Sequence, residues 1–195
     1  MNDRIETIHR FAGQVLSEAG SHGMDHTERV FHLCRIIGEQ EHADMDILLP
    51  AALLHDIARP LEKKQGLPHE QEGARIAAEY LTSIGYDRDR IPVIAAAIRT
   101  HRFQSSEEPE SLEARILSDA DKLDAMGALG IARTFMRAGE HGTGMDDAVS
   151  HFHKKLLKLV GRMHTRTGRL IAAERHDVLQ KFLGTLEKER SLYQQ

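Results

Sequence analysis

Thirteen histidines in 195 residues outnumber the six phenylalanines and three tyrosines together, and histidine is the commonest metal ligand and the side chain that exchanges protons near neutrality. Their positions carry the argument. His26 precedes Val30, Leu33 and Ile37 by 4, 7 and 11 residues, so on a helix it shares their inward-facing stripe. His55 and Asp56 close the most apolar segment of the chain, Ala52-Leu53-Leu54-His55-Asp56-Ile57, where almost no face is left for water. Asp121 follows Leu117 by four and Ala114 by seven and precedes Ala125 by four, which puts a carboxylate on the inner face of its helix. Buried charge is paired or bound to metal. A lone histidine on an apolar stripe is more often a hydrogen-bonded core residue. Two histidines and two aspartates on buried faces of three helices, however, would need several separate polar networks, each unsatisfied group costing about 1 to 3 kcal/mol. One cation held by His26, His55, Asp56 and Asp121 needs fewer coincidences, with Asp124, one turn from Asp121, as the rival for the fourth place.

The elements that must position these groups read as helices throughout. Ile5, Ile8, Ala12, Val15, Leu16 and Ala19 predict a first helix over residues 3 to 19, ended by Gly20. After the loop Gly20-Ser21-His22-Gly23, a second stripe runs through Val30, Leu33, Cys34 and Ile37 and closes at Gly38 or shortly after. Residues 46 to 58, apolar almost all round, predict a central buried helix with Pro50 near its first turn. Two further stripes end at Ile84 and Ile98, residues 112 to 138 form a sixth helical region bent near Gly127 and Gly130, and two more helices cover 146 to 162 and 168 to 192. No segment alternates strictly, so the expectation is an all-α bundle of about eight helices in one domain spanning residues 1 to 195, with a metal core over about 22 to 125 and C-terminal helices 146 to 192 packed on it. Residues 104 to 110 and 139 to 145, rich in Ser, Glu, Gly and Pro, read as exposed loops.

Composition excludes several classes. With 29% charged and 41% hydrophobic residues and five prolines, the chain is neither disordered nor collagenous. The single Cys34 allows no internal disulfide, and no basic segment leads into an apolar run and a cleavage site, so a cytoplasmic home is expected. The longest strongly apolar stretch, Ile47 to Leu54, is far short of the roughly 20 residues that cross a bilayer. A net charge of −4 lacks the footprint of a general nucleic-acid binder.

The order His26, then His55-Asp56, then Asp121 resembles the HD superfamily of metal-dependent phosphohydrolases, whose ligands are a His, an adjacent His-Asp pair and a distal Asp on a helical core. The flanks carry the likeness: Ser21-His22-Gly23-Met24-Asp25-His26, Ala52-Leu53-Leu54-His55-Asp56-Ile57 and Asp119-Ala120-Asp121-Lys122-Leu123-Asp124-Ala125, with Ala128-Leu129-Gly130-Ile131-Ala132-Arg133 and the stretch from His151 through Arg175 beyond them. The chain looks like a small stand-alone HD-type helical bundle. In relatives with two metals, extra histidines between the pair and the distal Asp bind the second ion, and His69 and His101 hold that order here. Some HD nucleotidases and alarmone hydrolases place an acid about three residues after the pair. Here that position is Arg59 and the first acid is Glu62, so no proton-transfer residue carries over. Nor is there a His-His-Glu with a following Gly-Tyr-Pro, which argues against the cyclic-dinucleotide branch.

The resemblance implies metal-dependent hydrolysis of a phosphoester or phosphoanhydride, with one or two divalent ions per chain; mixed imidazole and carboxylate ligands suit Mn, Fe, Co or Zn, and Mg if the site is mostly oxygen and water. A metal brings the pKa of bound water down toward about 7, and Asp56 is the carboxylate placed to take its proton. Lys122 and Arg59 start close to the metal ligands in sequence and suit phosphate oxygens, and His22 in its Gly-flanked turn suits a phosphate contact. Lys154, Lys155, Arg169 and Arg133 are candidates for further phosphates, although a solvated helix face explains the lysines as well. A nucleoside triphosphate cut at the α-phosphorus is the favoured small-molecule partner, with neither nucleic acid nor membrane expected and a homodimer left open. The alternatives are an HD-type di-iron oxygenase and a non-catalytic nucleotide-binding sensor.

Overall fold

A computed structural model describes residues 3–16, 23–102 and 107–193. Among these residues the chain is all-α, without a strand: α1 (Asp3–Leu16), α2 (Met24–Glu41), α3 (Met45–Leu54), α4 (Arg59–Gln65), α5 (His69–Ser83), α6 (Ile91–Thr100), α7 (Leu112–Asp124), α8 (Gly127–Glu140), α9 (Gly144–Lys154), a 3-10 helix (Leu156–Arg162) and α10 (Arg166–Ser191). The helix count exceeds eight because the helix expected over 112 to 138 is broken in two and an unexpected short helix, α4, follows the shortened one at the His-Asp pair. Both interruptions have local causes.

The first lies at the His-Asp pair. The buried helix expected over 46 to 58 stops at Leu54 and residues 55 to 58 form a turn. Pro60 has no N–H to offer the carbonyl of Asp56, and the chain tightens instead into short bonds from Ile57 N–H to the Leu54 carbonyl (3.1 Å) and from Arg59 N–H to the Asp56 carbonyl (2.9 Å). Proline at the start of α4 then opens the new helix. Pro50 is not in the first turn but inside α3. The carbonyl it leaves without an N–H, that of Asp46, accepts from the Tyr86 hydroxyl at 2.6 Å.

The second interruption separates α7 from α8. Gly127 takes a left-handed φ of 67°, and a side chain at Gly130 would sit 2.1 Å from the Ala125 carbonyl oxygen, so the bend expected near these glycines is a full break. Two smaller differences follow the same logic of helix ends. Residues 139 and 140 still belong to α8 and 144 and 145 to α9, leaving a shorter exposed connection than predicted. The helix expected over 146 to 162 narrows to 3-10 after Lys154, while α10 starts at Arg166, where Thr165 caps it by accepting from Gly168 N–H at 2.9 Å.

Contacts divide the chain into two compact units, residues 1–121 and 122–195. In the first, α3 packs against α1, α2, α5 and α6, and α5 against α4 and α6. Gly38 lets α2 lie against α3, since a Cβ there would meet Leu48 Cδ2 at 2.6 Å. Cys34 is a buried free thiol in this core, and burial pushes its pKa well up. In the second unit, α8 and the 3-10 helix each pack against both α9 and α10, around the rings of Phe135, Phe152 and Phe182, whose centroids lie 5.8 to 6.1 Å apart. Among the described residues no helix is long and apolar enough to cross a membrane.

Candidate metal centre

The first unit brings six side chains from five places in the fold to one point. His26 stands in the first turn of α2, His55 and Asp56 on the turn after α3, His69 at the start of α5, His101 just after α6 and Asp121 on α7. The four histidines and Asp56 are buried, and the Asp121 carboxylate keeps 24% of its surface exposed. His26 Nε2 lies 3.3 Å from His55 Nε2, 3.4 Å from Asp121 Oδ1 and 3.6 Å from Asp56 Oδ2. His55 Nε2 is 3.8 Å from Asp56 Oδ2. On the other side of the same carboxylate, His69 Nε2 and His101 Nε2 are 3.5 and 3.8 Å from Asp56 Oδ1. Such separations are long for hydrogen bonds. They are, however, the spacing expected of ligands that each stand about 2.0 to 2.2 Å from a shared ion.

The outer ring nitrogens explain why Nε2 is the atom presented. His55 Nδ1 donates to the Ala52 carbonyl at 2.8 Å, His101 Nδ1 to the Ile98 carbonyl at 2.6 Å and His69 Nδ1 to Glu62 Oε1 at 3.0 Å. Carbonyls and carboxylates only accept, so each bond puts the proton on Nδ1 and leaves a lone pair on Nε2. His69 Nε2 is buried without a hydrogen-bond partner, an arrangement that is costly unless a cation answers it.

Electrostatics run the same way. Burial holds His55 down to about 4 against the pull of Asp56, and it also lowers His101 and His69, so these rings are neutral ligands at pH 7. Burial would raise the Asp121 carboxyl, but the hydrogen bond from His26 and the charge that His26, His101 and His55 take on at low pH outweigh it and hold the carboxyl well below the usual range. The donor atoms of His26, His55 and Asp121 fall within 4.8 Å of one another, as do those of His55, Asp56 and His101 and those of Glu62, His69 and Glu70. Mixed imidazole and carboxylate donors of this kind suit a divalent first-row metal.

The remaining predicted residues are distributed differently. Arg59 is tied to the centre itself: its Nε donates to Asp56 Oδ1 at 2.9 Å and its Nη1 to Glu62 Oε2 at 2.8 Å. Lys122 is buried. Asp124 is not among the clustered donors; its carboxylate is bound by Arg133, whose Nη1 also donates to the Asp124 carbonyl at 3.3 Å. Arg169 donates from Nη1 to the carbonyls of Met163 (3.2 Å) and His164 (3.0 Å). Lys154 is exposed and Lys155 half-buried, and His22 lies outside the described residues. Sequence reasoning missed what Glu62 does, because it lies on a different helix from His69 and the spacing between them carries no signal of their contact.

The HD domain family model matches residues 23–126, the span that carries all six clustered residues. A Bacillus subtilis relative, YpgQ, is 36% identical over 199 residues, covering 95% of this chain and 93% of its own. The crystal structure of YpgQ in complex with ADP superposes with a TM-score of 0.79 at 34% identity, covering 96% of this chain and 95% of that one. A predicted HD superfamily hydrolase from an uncultured Thermotogales bacterium gives a TM-score of 0.72 at 31% identity, with 96% and 92% covered. The chain therefore belongs to the HD domain family, and the His26, His55-Asp56 and Asp121 cluster lies inside its matched span.

Proposed function

We infer that this protein is a metal-dependent phosphohydrolase acting on nucleotides. The observation that carries the reading is the set of Nε2 and carboxylate atoms 3.3 to 3.8 Å apart, with Asp56 facing His26 and His55 through one oxygen and His69 and His101 through the other. His26, His55, Asp56 and Asp121 would hold one divalent ion, and His69 and His101, facing the other oxygen of Asp56, would hold a second. When bound, a metal supplies Lewis acidity and a water acidified toward about pH 7. The chain's own groups then divide the remaining work: the Nδ1 bonds hold the imidazoles in place, and Asp56 takes the proton of the attacking water. The guanidinium of Arg59 keeps the negative charge of Asp56 in check.

The favoured substrate is a nucleoside triphosphate. Water adds to the α-phosphorus, the bond from that phosphorus to the bridging oxygen breaks, and pyrophosphate leaves with the electron pair, giving a nucleoside monophosphate. The ADP complex of YpgQ supports a nucleotide ligand. On the sequence alone, Lys122 is proposed for phosphate oxygens and Lys154, Lys155, Arg133 and Arg169 for trailing phosphates. Chromatography of Mn-supplemented reactions with each triphosphate tests the reading. Monophosphate and pyrophosphate are the expected first products, a diphosphate appearing first rejects attack at the α-phosphorus, and activity confined to monophosphates rejects the triphosphate.

A further inference from the structure

Where α4 meets α5, four side chains close a ring, and two of them, Arg59 and Glu62, are not among the metal ligands of the proposed hydrolysis. Arg59 Nε donates to Asp56 Oδ1 (2.9 Å), Arg59 Nη1 donates to Glu62 Oε2 (2.8 Å), His69 Nδ1 donates to Glu62 Oε1 (3.0 Å), and His69 Nε2 returns to Asp56 Oδ1 at 3.5 Å. The two ends of the ring differ in kind. Asp56 and His69 are buried, whereas the Arg59 and Glu62 side chains keep 21% and 28% of their surface.

His69 also differs from the other oriented histidines. The rings of His55 and His101 are fixed by main-chain carbonyls three residues earlier, which no side-chain substitution removes. His69 has no such carbonyl bond and takes its orientation from a carboxylate. Glu70 Oε2 is also near Nδ1, at 3.3 Å, and Arg102 Nη1 stands by both carboxylates, 3.4 Å from Glu70 Oε2 and 3.7 Å from Glu62 Oε1. Glu62 is nearer to Nδ1, and its second oxygen is anchored by Arg59. A carboxylate that can only accept leaves His69 a single neutral tautomer, with the proton on Nδ1 and the lone pair on the buried Nε2.

We propose that Glu62 is the positioning residue for His69: it fixes the tautomer and rotation of the ring so that Nε2 faces a divalent cation shared with Asp56, and Arg59 ties both carboxylates into one frame. The proposal rests on reading His69 as a ligand of the second ion. Loss of such an outer partner typically weakens metal binding about 10- to 100-fold.

Two measurements test it, and the first needs no metal. In metal-free protein, two-bond proton–nitrogen correlation of the imidazoles should find His69 protonated at Nδ1. Glu62→Ala should populate the Nε2-protonated form, while Glu62→Gln, whose amide oxygen still accepts from Nδ1, should keep the wild-type tautomer. In Mn titrations followed by electron paramagnetic resonance, Glu62→Ala should weaken one of two sites about 10- to 100-fold and leave the other unchanged, and Glu70→Ala should leave both near wild type. A Glu62→Ala protein with the wild-type tautomer, or a Glu70→Ala protein that reproduces the Glu62→Ala losses, overturns the positioning role. If His69→Ala still binds two Mn ions, the two-ion reading fails and the affinity part of the proposal with it. The tautomer result in metal-free protein separates that failure from a failure of Glu62.

Discussion

Two carboxylates three residues apart on α7 meet opposite surroundings. Asp121, in the first unit, faces the imidazole of His26 at 3.4 Å and is clustered with His55, a ring held neutral by burial. Asp124, in the second unit, is 0% exposed and is bound by the guanidinium of Arg133. Near it, Arg175 Nη1 donates to the Leu123 carbonyl at 2.6 Å and lays its side chain across Gly127. The second carboxylate has its counter-charge built into the chain. The first faces imidazoles, which are better ligands than counter-ions, with the charge of Arg59 acting on it as well, and a metal would answer the rest. The contrast separates a buried charge answered within the chain from one placed among candidate metal ligands.

Substitution should break the pair of environments in opposite ways. Asp121→Ala should abolish metal retention at the His26 and His55 side, read by elemental analysis after gel filtration, and with it phosphohydrolase activity, while the metal-free protein stays folded. Asp124→Ala should keep its metal in the folded fraction. If Asp124→Ala loses more metal than Asp121→Ala, the assignment of the two carboxylates is reversed.

The arginine side sharpens the contrast. Arg133→Ala removes the guanidinium bound to the buried Asp124 carboxylate, leaving Arg175 as a nearby cation, and breaking a buried pair of this kind costs up to about 3 to 5 kcal/mol. Denaturant unfolding with chelator present should register that loss, whereas Asp121→Ala under the same conditions should cost less, since that carboxylate keeps 24% of its surface exposed and faces an imidazole rather than a bound guanidinium. A destabilisation of Arg133→Ala below about 1 kcal/mol would place Asp124 among weak surface pairs.

How far these environments were legible in the sequence follows from what each depends on. His26, Asp121 and the His55-Asp56 pair betray themselves by polar residues falling on apolar stripes, a pattern that survives any detail of packing. His101 follows the same rule, lying three, four and seven residues after Ile98, Ala97 and Ile94. The turn carrying the pair was hidden, because an all-apolar run looks the same whether it ends at Leu54 or at Ala58, and only Pro60 marks the tightening. Glu62 sits on a short helix with no stripe of its own, so its bond to His69 depends on tertiary placement that periodicity does not encode. The Arg133 to Asp124 pair was invisible for the related reason that an arginine nine residues away on a new helix looks like any exposed cation.

A pH titration tests the imidazole environment as a whole. Burial lowers His55 to about 4 in the folded chain, against about 6.5 when unfolded. Between those values the unfolded chain binds more protons, so stability rises with pH across the window and is fully present above it. His101 and His69, also lowered, add in the same sense. Asp121, held well below its ordinary value, contributes stability that is lost as pH falls past about 3.8. Metal-free protein should therefore lose stability steadily from pH 6.5 toward pH 4, and a denaturation midpoint that stays flat over that range would mean the rings are solvated rather than buried.

The smallest expected effect supplies the control for the arginine experiment. Arg190 pairs with Asp146 in the second unit, but the Asp146 side chain keeps 85% of its surface and that of Arg190 keeps 32%. Both charges stay hydrated when the pair is broken, so neither is stranded as Asp124 would be. Exposed pairs of this sort contribute about 0.2 to 1 kcal/mol, and salt screens them further. Asp146→Ala should thus shift the unfolding free energy by no more than about 1 kcal/mol, and the shift should shrink as ionic strength rises. Arg133→Ala should show its larger loss at low and high salt alike, because the charge it strands is shielded from mobile ions. Equal costs for the two substitutions, or a salt dependence shared by both, would show that burial does not distinguish them, and the contrast between Asp121 and Asp124 would then have to rest on metal content alone.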